Sequence, residues 1–253
     1  MNMGGFNTLL RKELMRFWKV SLQTVFAPIL TTLLYLVVFG QALKSRVSVF
    51  GDIDYSVFLV PGLIIMAMLQ NAFANSSSSL TQSKITGNII FVLLPPLSAT
   101  ELYLAYALAA IVRAVMVGFG VLIAAVIFVP IPVHSYGLML LFALLGSTVL
   151  GTLGIIAGIW CEKFDQLALF QNFIIIPLSF LSGVFYSIQA LPEFWQMVSH
   201  LNPFFYMVDG FRYAFLGVSD VSPWTSLALV SAALVISTAW TLLLLRRGYK
   251  LRN

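Results

Sequence analysis

The sequence predicts an all-α membrane protein built on six transmembrane helices, and three observations predict it. Hydrophobic residues fill 60% of the 253 positions and charged residues only 9%, against about 25% charged in soluble domains. The mean hydropathy is +0.97. The apolar residues fall in separate runs of about 20, the length that crosses a roughly 30 Å hydrocarbon layer at 1.5 Å per helical residue. Runs this long and continuous are not the alternating strands of a barrel, and lipid satisfies no backbone polar group, so the runs must be helices.

The first element is a helix expected over 6–20. Phe6, Leu10, Leu14, Phe17 and Trp18 fall near one face, and Arg11, Lys12, Arg16 and Lys19 supply the other, a pattern suited to a helix lying in the membrane interface. The apolar run after it is too long for a secretory signal, and FGQALKS offers no small-residue cleavage site. The spans follow at 22–43, 57–80, 102–129, 137–160, 167–186 and 224–245.

Orientation comes from the basic residues. With the N-terminus in the cytoplasm, Arg11, Lys12, Arg16, Lys19, Lys84, Lys163, Arg246, Arg247, Lys250 and Arg252 lie inside. Lys44, Arg46 and Arg212 lie outside, and Arg113 falls within a span. The expected topology is therefore N-in and C-in. Small residues at four-residue spacing, Ala110, Ala114 and Gly118 in the third span and Gly154 and Gly158 in the fourth, let helix backbones approach closely in lipid. Nothing marks a second domain, so 1–253 is expected to form one.

Between the fifth and sixth spans stands LPEFWQMVSHLNP, 191–203. Phe194, Met197, Val198 and Leu201 recur at i, i+3, i+4 and i+7, one apolar stripe on a short helix. Pro192 suits its first turn, and Pro203 restricts Asn202 and ends it. Residues 187–223 are expected to be an outer segment with structure of its own, either dipping back into the membrane or resting on lipid.

Chemistry of its own is not expected of this chain. His134 and His200 are the only histidines and have no matching ligand set, Cys161 is the single cysteine, and all nine acidic residues fall in predicted loops or ends. The sequence contains no metal or nucleophile motif and no phosphate-binding G-x-x-x-x-G-K-[ST], so no catalytic residue, metal or cofactor is assigned to it.

The polar residues inside the spans need partners, because an unsatisfied amide is costly there. Gln70, Asn71 and Asn75 precede a run of four serines in the second span, and Gln171 and Asn172 lie in the fifth. They are either interhelical ties or the lining of a hydrated path between these two helices. Arg113 costs about 2.5 to 3.5 kcal/mol within a span unless paired or hydrated. Glu101 is about 18 Å away along the same helix and cannot pair with it directly. Backbone carbonyls, Asn71, Asn75 and an anionic substrate group remain as its candidate partners.

Residues 181–217, LSGVFYSIQALPEFWQMVSHLNPFFYMVDGFRYAFLG, resemble the signature region of the ABC-2 type permeases, the membrane subunits of ABC exporters. VPGL at 60–63, the basic N-terminal helix and the short basic C-terminal tail agree with that pattern, so the resemblance covers nearly the whole chain. The group with the nearest likeness is the inner-membrane permeases associated with nodulation-factor export. In SKITGNIIFVLLPPLSATE, Gly87, Leu93, Leu94, Pro96, Leu97 and Ser98 match the family's coupling loop, whereas Ile85 and Ile90 stand where glutamates are common.

The resemblance implies a homodimer in the bacterial inner (plasma) membrane, bound to two copies of a separately encoded ATPase that carries the ATP and Mg. It places Lys84, Gly87, Asn88 and Pro96 in the ATPase-coupling loop. It makes the second and fifth helices the lining of the path and external re-entrant helices, carrying Pro192, Phe194, Trp195, Met197 and Pro203, the outer gate. Relatives of this kind move lipo-oligosaccharides, polysaccharides, lipids or hydrophobic drugs, and no nucleic acid is implied. The rival reading is a self-sufficient secondary transporter or channel, for which inverted repeats and intramembrane acids would be the marks.

Overall fold

The computed structural model describes residues 3–43 and 53–250. Three basic residues used to orient the chain, Lys44, Arg46 and Arg252, lie outside them. The described residues form helices α1 (Met3–Lys19), α2 (Ser21–Leu43), α3 (Tyr55–Ile85), α4 (Ile89–Leu93), α5 (Ala99–Val126) and α6 (Tyr136–Trp160). Then come α7 (Phe164–Phe170), a π-turn at Gln171–Ile175, α8 (Ile176–Phe180), α9 (Glu193–Leu201), α10 (Pro203–Leu216) and α11 (Pro223–Arg247).

Five of these helices, α2, α3, α5, α6 and α11, are long and apolar enough to cross a membrane. The expected fifth span, 167–186, differs. Its helix ends at Phe180, and the 17 residues from Phe164 reach about 25 Å. Pro177 explains the break in regularity. It has no N–H for the carbonyl of Phe173, and its ring crowds that carbonyl, so the turn before it widens until Ile176 N–H bonds Gln171 O five residues back.

The bundle is organised around α3. Of its most apolar window 78% is buried, against 11% for α2 and 17% for α11, whose sides are left for lipid or a neighbouring chain. Glycine makes that burial possible. A Cβ on Gly154 would stand 2.5 Å from the carbonyl oxygen of Phe73, and one on Gly118 would stand 2.5 Å from Met68 Sδ. The helix α6 therefore closes on the backbone of α3, and α5 closes on the Met68 side chain of α3, as the small-residue spacing predicts.

Two ends can be distinguished. At one, Leu9 of α1, Val92 of α4, Leu102 and Tyr103 of α5, Ile159 of α6 and Leu244 of α11 share a cluster of buried side chains. At the other, α10 packs against the start of α6, where His134 N–H and Ser135 N–H donate to Phe215 O and Ala214 O.

Two expectations need correction. The face of α1 against the bundle is Leu9, Glu13 and Phe17, while Trp18 is exposed, because one helical turn of four residues aligns Glu13 with the two apolar neighbours. Two acids, Glu13 and Asp209, are wholly buried instead of lying in loops or ends. Arg212 is also wholly buried, in α10.

Replacing Gly154 by alanine is expected to lower the melting temperature in detergent, with a loss of about 1–3 kcal/mol, because a backbone oxygen cannot yield as a side chain can. Gly137→Ala, where nothing lies within 4 Å, should leave it unchanged. The comparison is read by fluorescence-detected size exclusion after heating.

Candidate functional site

A polar seam runs along the half of α3 nearer α4. Asn71 Oδ1 accepts from Arg113 Nε at 3.2 Å and from Nη2 at 2.9 Å, while its own Nδ2 donates to Ala67 O at 3.0 Å. The guanidinium of Arg113 lies 6.0 Å from the ring of Phe17, so its neighbours are α3 and α1. Of the four candidate partners for Arg113, the structure supplies Asn71.

One turn further, Arg16 of α1 reaches into α3. Its Nη2 donates to Asn75 O at 2.7 Å and Asn75 Oδ1 at 3.1 Å, and Nη1 donates to Ser78 Oγ at 3.3 Å. Glu13 completes the patch: Ser79 Oγ donates to its Oε2 at 2.6 Å, Arg16 Nε lies 3.4 Å away, and Lys12 Nζ is 3.0 Å from Oε1. A buried carboxylate needs this many partners to be tolerated. Together these contacts fasten α1 to α3.

The two polar groups set apart in the sequence are not brought together within one chain. Gln70 is half-buried on α3, Gln171 is half-buried at the π-turn, and Asn172 is exposed there. No side-chain hydrogen bond among the described residues joins Gln171 or Asn172 to Gln70, Asn71 or Asn75.

At the α4 end, Lys84 sits in the last turn of α3 and donates through Nζ to Ile159 O at 2.8 Å, Cys161 O at 2.8 Å and Gly158 O at 3.4 Å. These carbonyls lie at the C-terminus of α6, where helices leave acceptors unmatched and a cation is favoured. Lys84 thus ties two helix ends together. Gly87 follows with φ +72°, the left-handed conformation glycine adopts without strain, and turns the chain off α3 into α4. Asn88 stands exposed just before α4, and Pro96 is exposed beyond it. Around them Ile85, Ile90, Phe91 and Leu94 project with 49%, 60%, 72% and 70% of their surfaces exposed.

At the opposite end, Pro192 is the residue before α9, and Pro203 is the first residue of α10. Phe194, Met197 and Leu201 all face outward, Trp195 is also exposed, and Ser199 is the buried residue of α9. The apolar stripe is therefore turned away from this chain's own core.

The helix α10 does the opposite and penetrates that core. Asn202 hinges the two, accepting from Phe204 N–H at 3.0 Å and donating to Leu178 O at 2.8 Å. Asp209 accepts from the backbone N–H groups of Asp220 and Val221 at 2.8 and 3.1 Å. Asp220 in turn accepts from Ser187 Oγ and from Ile188 N–H. Arg212 Nη2 donates to Gly183 O at 2.6 Å, and its guanidinium lies 4.0 Å over the ring of Phe58.

Sequence reasoning missed Glu13, Asp209, Arg212 and Asp220 as members of these networks. The signal for Glu13 was its spacing of four from Leu9 and Phe17. For Asp209 and Arg212 it was an acid and an arginine three apart in the otherwise apolar and aromatic run PFFYMVDGFRYAF.

A bundle of apolar helices with buried polar ties, a short exposed loop helix at one end and a folded cap at the other defines a membrane permease. The family model for the ABC-2 type transporter matches residues 5–216, and the chain belongs to that family. It is 36% identical over 242 residues to the inner membrane transport permease YadH of Escherichia coli (strain K12), covering 96% of this chain and 94% of that protein. It is 23% identical over 251 residues to nodulation protein J of Rhizobium leguminosarum bv. viciae, covering 96% and 95%. With nodulation protein J of Rhizobium meliloti (strain 1021) it shares 22% over 212 residues, covering 82% and 79%.

If Asn71 is what makes Arg113 tolerable, Asn71→Leu strands a buried guanidinium and should cost about 1–3 kcal/mol. The double variant R113M/N71L should then melt above N71L alone. Thermal denaturation of the wild type, N71L, R113M and the double variant in one detergent reads the cycle.

Proposed function

We propose that this chain is the transmembrane subunit of an ATP-driven exporter of the bacterial inner membrane, working as a homodimer with two copies of a separate ATPase that binds ATP and Mg. One observation carries the reading: Ile90 and Phe91 on the five-residue helix α4 and Leu94 at its C-cap stand exposed, while Val92 on its other side packs the helix onto the bundle. A concentrated apolar knob of this kind marks a protein contact. Beside it, α1 and α4 enclose a groove of about 420 Å³ lined by Thr8, Leu9, Lys12, Asn88, Phe91 and Val92.

With isoleucine at 85 and 90 in place of the family's acids, docking on this partner is apolar in character. The partner's matching groove is correspondingly poor in arginine and lysine. Family membership and the inner-membrane naming of the Escherichia coli relative support the location.

In this reading the chain crosses six times with both termini inside. The segment α7 to α8 is the fifth crossing, shortened and widened at its π-turn, and α9 with α10 form the external re-entrant pair. Closure of the ATPase pushes on α4 and α1. The first is continuous with α3 through Gly87, and the second is fastened to α3 through Arg16 and Glu13, so both inputs move one helix. Gln70, Gln171 and Asn172 line the path between protomers, while Arg113 and Asn71 hold α5 to α3 behind it and Asn75, wholly buried, is taken up by Arg16 of α1. The exposed Phe194, Trp195 and Met197 form the outer gate.

The secondary-transporter reading would call on buried acids that take up and release ions. Glu13 is held by Lys12, Arg16 and Ser79, and Asp209 by two backbone N–H groups, so both are committed to structure.

Co-expression with the candidate ATPase tests the proposal. Phe91→Asp or Leu94→Asp should reduce ATPase copurification about tenfold, since each puts a charge into an apolar contact, while the melting temperature is unchanged. Undiminished copurification by both variants would overturn the assignment. A cross-link between α9 and the bundle should stop export with ATPase binding intact.

A further inference from the structure

We propose that the seam between α5 and α11 is a binding site for one anionic phospholipid, its phosphate on Arg246 and Arg247 and an acyl chain in the groove above. The site adjoins the ATPase groove, sharing Val92, Pro95 and Leu97 with it, but opens towards α11 instead of α1, and it stands whether or not the exporter reading does. Two adjoining cavities make it. The lower, of about 390 Å³, is lined by Val92, Leu97, Leu102, Leu245, Arg246 and Arg247. The upper, of about 490 Å³, runs between the helices past Leu104, Ala107, Ile111, Leu234, Thr238 and Leu242.

The two follow one another along the seam. Leu102 lines the lower and Tyr103 the upper, and Leu245 lies one turn beyond Leu242. From Leu234 to Leu242 the groove extends about 12 Å, and Arg246 sits one turn, about 5 Å, below it. That is the layout of a phospholipid: a charge at the interface and a chain rising into the hydrocarbon. The wall is braced where Tyr103 Oη lies 2.9 Å from Thr238 Oγ1 and 3.1 Å from Thr152 Oγ1, which fixes α5 against α11 and α6.

Charge decides what sits at the mouth. Arg246 and Arg247 are exposed, and neither guanidinium has an ion pair or side-chain hydrogen bond among the described residues. The nearby acid of α5, Glu101, is buried and turned inward, accepting from Ser98 N–H at 2.7 Å and Ser98 Oγ at 2.8 Å. Lys250 is engaged elsewhere, 3.4 Å from Glu162 and over the ring of Trp160. Two uncommitted arginines at the end of a membrane helix, opening onto an apolar groove, match the basic pockets that hold phosphate-bearing lipid headgroups. Lipid tails are as apolar as leucine, so the groove supplies shape and residence while the arginines supply headgroup preference.

The test is native mass spectrometry of the full chain, titrated with phosphatidylglycerol, with phosphatidylcholine of the same acyl chains, or with glycerol 3-phosphate. The first phosphatidylglycerol should bind about tenfold tighter than phosphatidylcholine. R246Q/R247Q should remove that preference, and Ala239→Phe, which fills the groove from an exposed position, should lower occupancy by both lipids without lowering the melting temperature. Equal binding of the two lipids, a preference that survives R246Q/R247Q, or displacement of the lipid by an equal concentration of glycerol 3-phosphate would each overturn the proposal. So would loss of ATPase copurification in R246Q/R247Q with the lipid preference intact, which would make this surface a protein dock.

Discussion

The backbone contact of α3 with α6 at Gly154 and Gly158 is the constraint on which the rest of the structure depends. In lipid there is no hydrophobic gain in moving one apolar helix against another, so association relies on close van der Waals packing and on polar ties. A Cβ at Gly158 would stand 2.7 Å from Leu80 Cβ and 3.1 Å from Ser77 O. The glycines thereby bring the serine-rich half of α3 against α6, and the opposite flank of α3 is left to receive α1 and α5. Every polar contact of the seam presupposes that approach.

From this follows the division of labour along α3. The half of α3 nearer α4 is joined to α1 by Arg16 and Glu13, to α5 by Arg113, and to α6 through its own Lys84. The other half is apolar and aromatic and receives Arg212 of α10 over Phe58. A rod tied at several points to the elements around it transmits a push on one end as a shift of the whole, because packed interiors resist compression. The helices α1 and α4 are the two elements at the end where that push would enter. The exposed flanks of α2, of α11 and of the π-turned segment surround this rod.

Much of the fold was legible in the sequence, and the parts that were not share a cause. The long spans at 57–80, 102–129, 137–160 and 224–245 were readable because each is a continuous apolar run with polar ends. The interfacial helix was readable in its extent but not in its facing. Hydropathy assigns Glu13 and Arg16 to water, whereas partners 59 to 66 residues distant in the chain, Asn75, Ser78 and Ser79, make their burial tolerable. The same limit hid Asp209 and Arg212, whose partners lie in the loops at 183–184 and 220–221. The segment 167–186 was misjudged in length because a proline that widens a turn leaves the hydropathy unchanged. The pairing of Arg113 with Asn71 stood among four candidates, and only packing could choose between them.

In the proposed function the bundle has no energy source of its own and is driven from the end where α1 and α4 meet. Inverted membrane vesicles carrying this chain, with or without its ATPase, measure that directly once a cargo has been found by its stimulation of ATP hydrolysis. With ion gradients collapsed by ionophores, the account predicts uphill cargo uptake that requires both the ATPase and ATP. Uptake against a gradient by vesicles that hold this chain alone would contradict it.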